Sequence, residues 1–281
     1  MTDVTTTTDN AGIFDMSSSF AFETTGPVLA DARRNNDAQV ELNGQLYIVP
    51  APGIELNHPT HGKVYATEVY IRLFCDTMQT TVYDGELEKY VNISQHFRRY
   101  QDVALDWYGG DKCGWIRSAD REKLKDVDPI AYAKAKKAKL QRNLFGTMRM
   151  VGATTADGTP VEVEDQPFRM KLGPANFFDI TKVYSALQKL GTTPIYKEIK
   201  LNYRLDKRGT NKYIVLEYDI NSGKDLVAQP GDMDLRVSFN EIVDYENEQV
   251  ATTMRGNMHP AEVSVGVFDH IDDDFGDVKV A

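Results

Sequence analysis

The chain has 281 residues and a mass of 31.6 kDa, with 41% hydrophobic and 26% charged residues. That composition is globular and excludes a wholly disordered chain, a collagen-like repeat and a coiled-coil rod, while the length suits one large domain or two small ones. No run reaches the ~18 apolar residues of a membrane helix, and the start lacks a basic and an apolar leader region, so a soluble, cytoplasmic protein is expected. Cys75 and Cys113 are too few for a disulfide framework or a four-ligand zinc site and read as buried free thiols.

The net charge of −10 argues against a nucleic-acid partner until its distribution is considered. Residues 1–63 carry a net −5, residues 64–220 a net +4, and residues 221–281 a net −9. Within the middle block, residues 112–150 alone carry +7. A basic body between acidic flanks points to an anion-binding core with an acidic tail.

In chain order, residues 1–37 read as a flexible, Thr/Ser/Asp-rich N-terminal segment. Residues 38–63 hold a hairpin around Asn43-Gly44, two residues that tolerate positive φ, followed by a Pro-rich loop. A strand is predicted over 64–74, with Tyr65, Thr67, Val69, Ile71 and Leu73 on one face and Glu68, Tyr70 and Arg72 on the other. A weaker strand covers 89–97, and 107–115, with three glycines and two tryptophans, reads as a loop. Asp128-Pro129 opens the clearest helix, an N-cap followed by a residue suited to the first helical position. Lys134, Lys136, Lys137, Lys139 and Arg142 surround it, so it is expected on the surface.

Strands follow near 144–151 and 161–164, then a helix over 178–190 stopped by Gly191. Two further strands are expected near 195–205 and 212–220. Strands, a helix and then a hairpin give a mainly β, α+β fold. That order suits a five-stranded Greek-key barrel of the oligonucleotide-binding type over 64–220, interrupted by a long helical insertion at 98–143. Residues 221–281 then form an acidic C-terminal extension and tail.

The candidate binding residues interleave cations and aromatics: Arg72, Phe97, Arg98, Arg99, Trp107, Lys112, Trp115, Arg117, Lys134, Lys136, Lys137, Lys139, Arg142 and Arg149. Cations that track phosphates and flat rings that stack on bases, at ~1–3 kcal/mol per base, are what a single strand requires. The bland alternative is that the aromatics fill a core and the lysines solvate a surface helix. In the tail, Phe268 and Phe275 flank Asp272, Asp273 and Asp274. Such apolar anchors suit a segment that mimics a polyanion or docks onto partner proteins more than one kept for solubility.

This plan resembles the single-stranded DNA-binding proteins of bacteriophages, in particular those of replicating tailed phages. Besides the basic, aromatic-rich body and the acidic, aromatic-tipped tail, the blocks Lys112-Cys-Gly-Trp-Ile-Arg117 and Arg142-Asn-Leu-Phe-Gly-Thr-Met-Arg149 carry the likeness. The resemblance implies an oligonucleotide-binding fold, sequence-independent binding of single strands, and contacts of the tail with replication or recombination proteins. The chain departs from the pattern in ending Val278-Lys-Val-Ala281 and in its long insertion. Further copies of the chain are also considered as partners.

No phosphate loop, HExxH or GxSxG motif is present, so no enzyme and no cofactor are expected. His58 and His61 are the only neighbouring histidines and need further ligands to hold a metal. Two other functions remain open: a viral structural or assembly protein without nucleic-acid affinity, and a metal-dependent nuclease.

Overall fold

A computed structural model describes residues 30–34, 41–42, 45–46, 54–173, 176–177, 179–208 and 211–258. The fold is α+β and mostly β. Its elements in chain order are β1 (Ala30–Arg34), β2 (Glu41–Leu42), β3 (Gln45–Leu46), β4 (Ile54–His58), β5 (Gly62–Ala66), β6 (Glu68–Asp84) and β7 (Lys89–Ile93). After a short 3-10 turn at Lys112–Gly114 come α1 (Ser118–Leu124), α2 (Pro129–Lys137), β8 (Lys139–Val151), β9 (Thr154–Thr155) and β10 (Val163–Leu172). The chain continues through α3 (Asp179–Lys189), β11 (Ile199–Arg208), β12 (Asn211–Asp219) and α4 (Asp232–Met258).

The main sheet runs β12-β11-β6-β8-β10-β1-β4-β5-β9, with β7 also paired to β6. All of its pairs are antiparallel except β1 with β10. Among the described residues the path is open at β12 and β9 and does not close into a barrel. Thr67 alone separates β5, which pairs with β4, from β6, which pairs with β8.

The alternation predicted for 64–74 holds in part: Val69, Ile71 and Leu73 are buried in the main core, which also takes Leu56, Leu144, Met148, Phe168, Met170 and three residues of α3, but Thr67 is exposed and before it the core takes Val64 and Ala66 instead of Tyr65. The strand differs in two respects. It breaks at Thr67, and it runs on to Asp84 because β8 pairs with it as far as Thr81. Between Leu73 and Cys75 the β6–β8 register slips, leaving Phe74 as a bulge. Gly146 lies opposite, and a Cβ there would stand 1.9 Å from the Arg72 carbonyl oxygen. Only glycine allows so close an approach of two backbones.

The helix opened by Asp128 forms as its sequence dictates: the carboxylate accepts from the Ala131 N–H at 2.9 Å, and three lysines fill the last turn. It ends at Lys137, so Lys139 and Arg142, grouped with it in sequence, belong to β8. Helix α3 ends before Gly191, whose φ is +68°. Within the N-terminal segment expected to be flexible, Ala30–Arg34 forms β1, beside strands more than a hundred residues away in β10. Asn43 and Gly44 lie outside the described residues, but the dipeptides on either side of them pair antiparallel.

The largest departure is α4. The acidic extension contains a 27-residue helix whose Phe239, Ile242 and Val243 pack on Phe74, Cys75 and Phe145 of the sheet. Phe145 and Phe239 lose all contact with solvent, their ring centroids 6.1 Å apart. No helix among the described residues is long and apolar enough to cross a membrane.

Candidate nucleic-acid interface

The cations that the sequence groups together divide into two sets. The first is committed to internal carboxylates. Arg72 is buried, donating from Nη2 to Asp232 Oδ1 at 2.9 Å and from Nε to the Ile195 carbonyl at 3.1 Å. Arg142 grips both oxygens of Asp76 and donates from Nη1 to Thr181 Oγ1 and the Phe177 carbonyl, tying α3 to the sheet. Arg149 meets Glu198 with two bonds of 3.0 Å, and its guanidinium lies 4.2 Å from the Tyr70 ring centroid. That pairing holds the Arg149 guanidinium above its ordinary pKa. Lys112 is buried with its ammonium 2.9 Å from Asp111 Oδ2 and 5.4 Å from the centroid of the Phe97 ring, itself buried. Burial explains each pairing, because a lone buried cation is far costlier than a paired one.

The second set faces solvent. Asp102 accepts from the backbone N–H groups of Arg98 and Arg99, which hold its carboxyl below the usual range and shape the turn that leads to Tyr100. Arg99 is exposed; Arg98 donates to Asn240 of α4 at 2.7 Å. Tyr100 and Trp115 stack, centroids 5.8 Å apart and planes inclined by 19°, and the exposed Arg117 guanidinium lies 4.6 Å from the Tyr100 centroid. Next to them Gly114 adopts φ +74°, and the stem of Lys134 passes close enough that a Cβ on Gly114 would meet its Cε at 3.2 Å. Lys134, Lys136, Lys137 and Lys139 are exposed and make no ion pair with a described residue. Ala135 and Cys113, both fully buried, anchor this hairpin to the body, where Cys113 Sγ donates to the Thr80 carbonyl.

The structure thus brings together Trp115, Arg117 and Lys134, with Tyr100 as a member that the sequence reading left out of the candidate set. Nothing in the spacing marks Tyr100, since its stacking partner is fifteen residues away across a loop. Trp107 is half-buried, and its carbonyl accepts from Asn257 of α4 at 2.8 Å. Phe268, Asp272, Asp273, Asp274 and Phe275 lie outside the described residues.

A second polar constellation was also missed. Between α4 and the sheet, His96 Nε2 lies 2.6 Å from Glu246 Oε2, its Nδ1 lies 2.9 Å from Thr77 Oγ1, and Arg169 donates to Glu246 Oε1 at 2.8 Å. Burial pushes the Glu246 carboxyl up, but the bond to His96 and the charge of Arg169 win and hold it at about 2. The group is enclosed beneath α4, which makes it a brace for the helix.

Both thiols are buried, and burial raises both, Cys113 to about 12. The rings of His58 and His61 lie 4.7 Å apart and tilted by 36°, but His58 Nδ1 already accepts from the backbone of Thr60 and His61. Among the described residues no group of three or more His, Cys, Asp or Glu side chains is placed to hold a metal ion. Compared with protein-family models, curated proteins and solved structures, the chain finds no match.

Proposed function

We propose that this chain binds single-stranded DNA without reading its sequence and protects strands during replication, recombination or repair, as a binding protein and not an enzyme. The observation that carries this reading is the Tyr100–Trp115 stack under Arg117, beside the unpaired lysines of α2. Flat rings offer a base-stacking platform indifferent to base identity, and adjacent cations neutralise phosphates. Phosphate contact falls to Arg99, Arg117, Lys134 and Lys139, while Arg72, Lys112, Arg142 and Arg149 serve the fold. A net charge of −10 does not oppose this, because local potential acts over a screening length of ~8–10 Å.

The finer fold belongs to the same proposal. An oligonucleotide-binding barrel has a long bent strand shared between its two ends, and β5–β6, bent at Thr67 and pairing with β4 on one side and β8 on the other, supports that assignment. The tail around Phe268 and Asp272–Asp274 would compete for the basic surface and dock replication proteins, in the cytoplasm of an infected host.

The test is fluorescence anisotropy of a labelled single strand against the matching duplex at two salt concentrations. Preferential single-strand binding that weakens steeply with salt supports the reading, as counterion release requires. No binding at low salt, even after removal of residues 259–281, overturns it.

A further inference from the structure

Two surfaces carry exposed apolar side chains next to unpaired charges, and the charges have opposite sign. On the α1–α2 hairpin, Val127 and Ile130 are each 83% exposed. Helical spacing sets Lys137 in line with Ile130, with Lys136 on the adjoining flank of the helix and the Lys134 stem drawn toward Gly114. At the tip itself Lys125 and Asp126 cancel.

On α4, Met233 is 64% and Val237 51% exposed, four residues apart on one face. Glu241 continues that line, with Asp244 and the exposed Tyr245 one turn further. Glu241 and Asp244 have no ion-pair partner among the described residues, whereas Glu248 is taken by Arg255. The opposite side of the helix is spent on the sheet through Phe239, Ile242, Val243 and Val250.

Single exposed aliphatics are ordinary on protein surfaces. Here they are ordered alike on two helices: apolar toward the N-terminal end, charged toward the C-terminal end. Ile130 to Lys137 and Val237 to Asp244 each span ~10 Å of helix axis. Laid side by side in the same direction, Val127 and Ile130 meet Met233 and Val237, and Lys136 and Lys137 meet Glu241 and Asp244.

We infer that the outer face of α4 docks the α1–α2 hairpin of a second copy of this chain. The two surfaces differ, so the contact is heterologous and propagates head to tail as an open chain instead of closing into a two-fold dimer. Lys134, whose stem lies against Gly114, stays with the stacking platform, while Lys136 and Lys137 face the neighbour. The contact itself does not need nucleic acid. Its consequence, cooperative coverage of a strand, rests on the function proposed above.

The test is sedimentation velocity of the full chain over a wide concentration range at low and high salt. The expected mass grows continuously with concentration at low salt and falls to the monomer at high salt. The double variants Glu241→Lys/Asp244→Lys and Lys136→Glu/Lys137→Glu are each expected to associate at least tenfold more weakly. Mixing the two in equal amounts restores association, since each then meets an opposite charge, and a folding defect would not be rescued in this way. A wild-type chain that stays monomeric, a mass that saturates at a dimer, or association indifferent to both reversals overturns the inference. Glu241→Lys/Asp244→Lys keeps wild-type affinity for a strand long enough for one copy. Association without any strand binding sinks the proposed function and leaves this contact standing.

Discussion

Beneath α4, Arg72 and Arg169 each meet a carboxylate of the helix, Asp232 or Glu246, at hydrogen-bond distance. Along α2, by contrast, Lys134, Lys136 and Lys137 lie in solvent and meet none among the described residues. Arg72 comes from the apolar run Val69-Tyr-Ile-Arg-Leu-Phe74 and the lysines from the Ala/Lys run 131–137, yet the sequence reading placed both among the binding cations. The difference teaches that burial, not local charge density, decides what a cation does. A cation taken out of water needs a counter-charge from its own chain, and one left in water without a counter-charge is available to an anion from outside.

Removing one side of a buried pair is the strongest way to break this contrast. Glu246→Leu removes the carboxylate that His96 and Arg169 both meet and is expected to cost ~3–5 kcal/mol in urea unfolding. Phe239→Ala, which hollows the apolar half of the same interface, should cost a similar ~3–5 kcal/mol. If either lost less than ~1 kcal/mol, α4 would not be integral to the fold.

Acid probes the same brace. The folded-state pKa of Glu246, about 2, lies below its ordinary 4.5. Its contribution is therefore fully present above pH 4.5 and is lost as pH falls from there through about 2. Thermal unfolding across that window should show a falling midpoint, with a shallower slope in Glu246→Gln. Gly146→Ala, which drives a methyl into the Arg72 carbonyl, is expected to destabilise by ~1–3 kcal/mol.

On the solvent-facing side, Trp115→Ala is expected to weaken single-strand binding by ~1–3 kcal/mol while changing stability far less. The smallest expected effect is that of Lys139→Gln, which should leave stability within ~0.5 kcal/mol but lower the salt slope of strand binding by ~0.7, the share of one phosphate contact. The same substitution made at Arg142, which is bound to Asp76, would instead show as lost stability.

Much of the fold was legible because it rests on local chemistry. Asp128-Pro129 specified where α2 begins, since cap and ring act within one turn. The alternation of 64–74 placed Val69, Ile71 and Leu73 in the core, since a strand's two faces follow from its period. The helix of 221–281 was not legible in the same way. Its Asp232, Asp234, Glu241, Asp244, Glu246 and Glu248 read as an acidic extension, and only Phe239, Ile242, Val243 and Val250, packed on distant strands, reveal a core-facing stripe. At the candidate site, the sequence supplied the cations and aromatics but could not say which would be buried.

Legible in the chain alone were the α+β character, the capped and cationic surface helix, the buried thiols and the basic block between acidic flanks. Each follows from residue type, short-range spacing or simple charge addition. Only the tertiary structure decided that Arg72, Arg142 and Arg149 belong to internal ion pairs, that Tyr100 stacks on Trp115, that Phe74 bulges against Gly146, and that an acidic helix braces the sheet. These depend on contacts between residues far apart in the chain, where solvent exposure and the partner across the gap set the energy.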